Sequence, residues 1–195
     1  MFKRTKGYFL LTMLVITGLA GRMQLNILTT KERHTLVTEL KTSRSDFLKN
    51  VDGLSLKQYN FKAVKKDLSI KDCIYNLVSI EDSLWTAAQA SLKEESPSVK
   101  KTFSDEALPS LTLNQNSFQN DIKFRNIKDA LKFYKNGRAD MLKYVHTSTE
   151  NVRGHIAQTE NGNFDAYQLL LLNTIYCRYY TNMIEQIKTH RKFPK

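Results

Sequence analysis

Two cysteines and four histidines are the whole supply of thiol and imidazole in this 195-residue sequence. Cys73 and Cys177 are too few for a disulfide-stapled scaffold or for a zinc site built from cysteines alone. A cysteine nucleophile needs a base beside it. His155, in the segment before the last predicted helix, is the one candidate, and nothing in the spacing fixes its distance from either thiol. His34, His146 and His190 read as surface residues near helix ends. The sequence has no Gly-rich phosphate loop, no G-x-S-x-G elbow and no pair of carboxylates that periodicity places in a cleft.

The elements that would position these groups are helices. Hydrophobic residues make up 41% and charged residues 25%, which excludes a disordered chain. Seven glycines and three prolines leave little turn material for a sandwich or barrel. Thr29-Thr30-Lys31-Glu32 reads as a capping box, followed by an apolar face of Leu36, Val37, Leu40, Phe47, Leu48 and Val51, with Gly53 placed to end the helix. Ser69 to Asp72 opens a second helix whose stripe is Ile70, Cys73, Ile74, Leu77, Leu84, Trp85 and Ala88. Asn126 caps a third, with Ile127, Ala130, Leu131, Tyr134, Met141, Leu142 and Val145 at helical spacing. Asp165 and Gln168 start a fourth, which runs through Leu169, Leu172, Tyr176, Tyr180, Met183 and Ile187 to Lys188, His190, Arg191 and Lys192 before Pro194. Ser96 to Arg125 carries Pro97 and Pro109 without a sustained period, and Asn161-Gly162-Asn163 marks a turn. The expected fold is all-α: a four-helix bundle with a long crossover connection between the second and third helices.

Lys3, Arg4 and Lys6 precede an uncharged run from Gly7 to Gly21. Residues 1–21 are therefore read as a signal peptide or N-terminal membrane anchor, with cleavage after Ala20, and residues 28–195 as one domain. Removing residues 1–20 takes away three cations and no acid, so the net charge falls from +11 to +8. The remaining charges, among them Lys62, Lys65, Lys66, Lys100 and Lys101, are not interleaved with aromatics at a nucleic-acid motif spacing.

The segments 29–55, 58–84, 127–145 and 162–195 together resemble the DinB family of bacterial four-helix proteins, in particular versions with a secretion signal. Gly162, Asp165, Ala166, Tyr167, Gln168, Ile184, Ile187, Phe193 and Pro194 fall where that family's closing pattern expects them. The resemblance implies a DinB-like bundle holding a divalent metal on three histidines, one on the second helix and two spaced i, i+4 within H-x-x-R-H-x-x-Q-I on the fourth. Such a metal would activate a thiol or water, in transfers, isomerisations or hydrolyses.

The sequence departs from that pattern at every ligand. The second-helix position is Asn76, the fourth-helix positions are Tyr176 and Tyr180, and Tyr179 and Met183 stand where the family has Arg and Gln. Residues 165–189 contain no histidine, so a one-residue slip restores nothing. A tyrosine ligand must lose a proton of pKa about 10, which at pH 7 costs about 4 kcal/mol before any binding gain. Only a strong Lewis acid such as ferric iron would suit two of them. The economical expectation is that Tyr176, Tyr179 and Tyr180 fill the vacated space, their hydroxyls bonded to Asn76 or water. Cys73, Glu81, Tyr179 and Met183 would be neighbours of that position. Cys177 should point about 100° away from Tyr176 around the helix, so both thiols are expected as small buried hydrophobes rather than a cystine.

The sequence thus predicts a DinB-like protein without catalytic residues, metal or cofactor, exported to the periplasm or exterior of a bacterium or anchored in its membrane. Expected contacts are a small-molecule ligand, a second copy of the chain and a membrane touched through the N-terminal segment, with no nucleic acid. The rival readings are a transferase or hydrolase with relocated metal or thiol chemistry, and a homodimeric interaction module.

Overall fold

The computed structural model describes residues 27–94, 99–111 and 122–195. The N-terminal run read as a signal or anchor lies outside the described residues, as does Pro97. Four long helices dominate: α1 (Thr30–Val51), α3 (Ile70–Ser91), α4 (Ile127–Thr147) and α5 (Ala166–Lys188). A single turn, α2 (Leu56–Tyr59), follows α1, and a 3-10 turn spans Leu108–Ser110 in the crossover. No helix among the described residues is long and apolar enough to cross a membrane.

Each long helix starts where its side chains can satisfy the open backbone amides. Thr29, Ser69 and Asp165 form capping boxes with Glu32, Asp72 and Gln168, and the Asn126 side chain accepts from the Asp129 amide. Gly53, at φ +68°, takes the left-handed conformation that lets the chain leave α1. The apolar stripes meet in one core, with Leu36, Phe47, Ile74, Leu77, Met141 and Leu172 all buried.

The helices are not laid down as a simple up-and-down bundle. In the packing ring α1 adjoins α5 and α4, and α3 adjoins α5 and α4, so α1 and α3 face each other across the diagonal. Glu39 meets Arg178 and Asn50 meets Lys188, which makes α1 and α5 parallel. Glu81 meets Arg138 and Trp85 meets Tyr144, so α3 and α4 are parallel too. Parallel neighbours cannot be joined by a short turn, which is the reason for the long crossover between α3 and α4.

The two remaining connections cross the ends of the bundle diagonally. At one end the Tyr59 hydroxyl donates to the Val51 carbonyl. At the other, an antiparallel hairpin, β1 (Ile156–Thr159) and β2 (Gly162–Asp165), leads into α5. The sequence signalled only its turn. Arg153 secures this end: its guanidinium bonds Glu32 at the start of α1, Asp105 in the crossover and Asp165 at the start of α5, and lies 3.7 Å from the Tyr167 ring centroid.

A second guanidinium sits inside the bundle. Arg138 of α4 is fully buried and bonds all three other long helices: Glu81 of α3 bidentately, the Asn173 carbonyl of α5 at 3.0 Å and Ser43 of α1 at 3.4 Å. Against it pack the Tyr134 ring and Cys177, whose thiol lies 3.3 Å from the Tyr134 hydroxyl and donates to the Ser43 carbonyl.

Arg138→Met should destabilise the chain by about 3–5 kcal/mol, because it strands the Glu81 carboxylate in the core. Adding Glu81→Leu should restore most of that loss, and urea unfolding of all four members of the cycle measures it. Arg153 governs acid stability. At Glu32 and Asp105 burial opposes ionisation but is outweighed by hydrogen bonds and by Arg153, so both titrate below their ordinary 4.5 and 3.8. Their stabilisation is present above those values and lost as pH falls through the depressed ones, while burial raises Asp165 in the opposite sense. Arg153→Met should lower stability at neutral pH and flatten its fall between about pH 5 and 3, read by thermal melts across that range.

Candidate functional site

Helices α3 and α5 run antiparallel, and their contact brings Cys73 and Asn76 beside Tyr180, with Tyr176 one turn earlier on α5. Asn76 and Tyr180 are thus brought together across the α3–α5 contact, as the sequence reading expects. Tyr176 and Tyr180 are 6% and 1% exposed, and Cys73 is fully buried. The Tyr180 hydroxyl is hydrogen-bonded to the Asn76 side chain. Burial, with Tyr179 and Cys73 nearby, pushes the Tyr180 phenol up to about 12 and holds Tyr176 higher still.

Of the other expected neighbours, Tyr179 touches the site from outside, while Glu81 and Met183 stand elsewhere. Tyr179 is 44% exposed: its ring packs edge-on to Tyr180 from outside, so two tyrosines and not three fill the space. The physical reason is helical phase, since adjacent residues point about 100° apart. Glu81 is held in the ion pair with Arg138 rather than beside the tyrosines. Met183 is half-buried and lines a groove of about 340 Å³ with Phe61, Leu68, Ile187 and His190 at the end of the bundle. Both cysteines are free and buried, so no cystine links α3 to α5. Burial raises the Cys73 thiol to about 12 and the Cys177 thiol to about 11. His155 is engaged with the Ser91 carbonyl at 2.9 Å, and no thiol is among its hydrogen-bond partners.

The implied metal does not fit these donors. Asn76 offers a neutral amide, and both phenols are held protonated by burial. Among the described residues no group of three or more His, Cys, Asp or Glu is placed to hold a metal ion.

Sequence reasoning missed a different concavity. A groove of about 1020 Å³ opens between α2 and the first halves of α3 and α4. Tyr59, Tyr75, Ile127 and Leu131 provide apolar wall, and Lys71, Lys128, Lys132, Lys135 and Arg125 surround it. The signal was present on α4, where Lys128, Leu131, Lys132 and Lys135 follow the i, i+3, i+4, i+7 spacing of one helix face.

No protein-family model matches the sequence, and no curated protein matches it. Among solved structures the chain is similar to YfiT from Bacillus subtilis, described as a probable metal-dependent hydrolase with an unusual four-helix bundle topology. The superposition gives a TM-score of 0.61 at 10% sequence identity and covers 83% of this chain and 88% of YfiT. At that identity the likeness speaks to architecture alone. By fold, the chain is a four-helix bundle similar to that of YfiT.

Proposed function

We propose that this chain is a non-catalytic, metal-free derivative of the DinB-like fold, serving as a structural or ligand-binding domain. The observation that carries the reading is the burial of Tyr176 and Tyr180, with the Tyr180 hydroxyl tied to Asn76, at the positions matching the histidines that the resemblance implies. Protonated phenols there act as packing surface and hydrogen-bonding groups, and they leave no charged ligand to organise an ion. The expected export or anchoring through residues 1–21 is part of the proposal.

The same burial argues against relocated thiol chemistry. A thiol nucleophile must be ionised and reachable, and both thiols are buried and raised well above neutrality.

The protein purified without chelator should carry far less than one metal ion per chain by plasma mass spectrometry. Its melting temperature should be unmoved by Zn²⁺, Ni²⁺, Mn²⁺ or Fe³⁺. The variant Asn76→His/Tyr176→His/Tyr180→His should instead acquire a site and melt higher with Zn²⁺ than without it. Near-stoichiometric metal in the unaltered chain would overturn the reading. An aromatic disulfide reagent should label neither thiol in the native protein and both after unfolding in denaturant. Rapid labelling of one native thiol would reinstate the thiol alternative.

A further inference from the structure

The groove between α2, α3 and α4 carries a more specific assignment, independent of the fate of the tyrosine positions. Two properties define it. Its wall is apolar and partly aromatic, with Tyr59, Tyr75, Ile127 and Leu131 contributing side chains and Leu56 standing 75% exposed at its edge. Its margin is strongly basic: five cations line it against one carboxylate, and that carboxylate, Asp129, is already paired with Arg125 at 2.7 Å. Four lysines thus remain around an apolar trough. Two helix N-termini open on the same space, since Lys71 lies in the first turn of α3, while Asn126 and Ile127 begin α4.

We propose that this groove binds a free amphipathic anion: one carboxylate or similar head joined to an apolar chain or ring system. The volume, about 1020 Å³, is ample for such a ligand. Apolar burial supplies the affinity. The lysines select the sign of the head group and steer its approach. A neutral apolar molecule would leave the cations without a partner, and a small inorganic anion would leave the trough wet. Only the combination satisfies both halves of the lining. The half-buried Lys71, on the α3 side, and the exposed Lys128, Lys132 and Lys135, on α4, would bracket the head group from two elements.

The test is calorimetric titration of the full chain with laurate below its micellar concentration, beside three controls. These are acetate, which has the charge without the chain, dodecyltrimethylammonium, which has the chain with the opposite charge, and vesicles of phosphatidylglycerol. Laurate should bind at one site per chain, and acetate and the cation should bind at least about tenfold more weakly. Lys128→Glu/Lys132→Glu should weaken laurate about tenfold or more. Both side chains are exposed, so melting should be little changed. Leu131→Asp should weaken it as well, by placing a like charge in the trough. Equal binding of the cationic surfactant, or laurate affinity unchanged in the double lysine variant, would overturn the assignment. Binding to anionic vesicles without binding of monomeric laurate would overturn it in favour of a membrane surface. None of these outcomes bears on metal content, so the groove and the proposed loss of metal chemistry stand or fall separately.

Discussion

One guanidinium holds the register of the bundle. Arg138 reaches Glu81, Ser43 and the Asn173 carbonyl, so a single side chain on α4 is bonded to the other three long helices. Apolar stripes specify which face of a helix turns inward but say little about sliding along the axis, since one leucine replaces another at modest cost. A bidentate ion pair with a carbonyl and a hydroxyl in fixed places tolerates no such slip. The layer beside it, where Cys177 sits between the Tyr134 hydroxyl and the Ser43 carbonyl, inherits its geometry from that constraint. The tyrosine cluster lies along the same α3–α5 seam, where Asn76 meets Tyr180.

Two guanidinium centres, one buried and one half-buried, divide the labour. Arg138 fixes the middle of the bundle, and Arg153 gathers α1, the crossover and α5 at one end through Glu32, Asp105 and Asp165. Both positions are charged residues within or beside apolar surroundings. Each meets at least one carboxylate from a distant part of the chain, which offsets the cost of withdrawing the cation from water.

The helices were legible in the sequence because their signals are local. Thr29, Ser69, Asn126 and Asp165 all cap where the residue types placed them, and the expected stripes are the buried faces. What depends on residues far apart was not legible. Arg138 reads as one more exposed cation until Glu81, fifty-seven positions earlier, is brought against it. The hairpin showed only its Asn161-Gly162 turn, since four-residue strands leave too short a period to detect. The candidate site divides in the same way: helical spacing put Tyr176 and Tyr180 on one face, whereas the outward turn of Tyr179 and the basic groove depend on how the helices come together.

The parallel pairing of the first and last long helices also shapes how the chain reaches its fold. Helix α1 has no adjacent partner among the elements that directly follow it: its neighbours in the ring are α4 and α5. The apolar face of Leu36, Leu40 and Phe47 must wait until a further 75 or so residues have been made and folded back onto it. Such pairing raises the mean sequence separation of contacts, and folding is expected to be slower than in a bundle closed by successive hairpins. Among the four long helices α1 waits longest during synthesis for cover over its apolar face, which makes it a natural point of engagement for a holding chaperone.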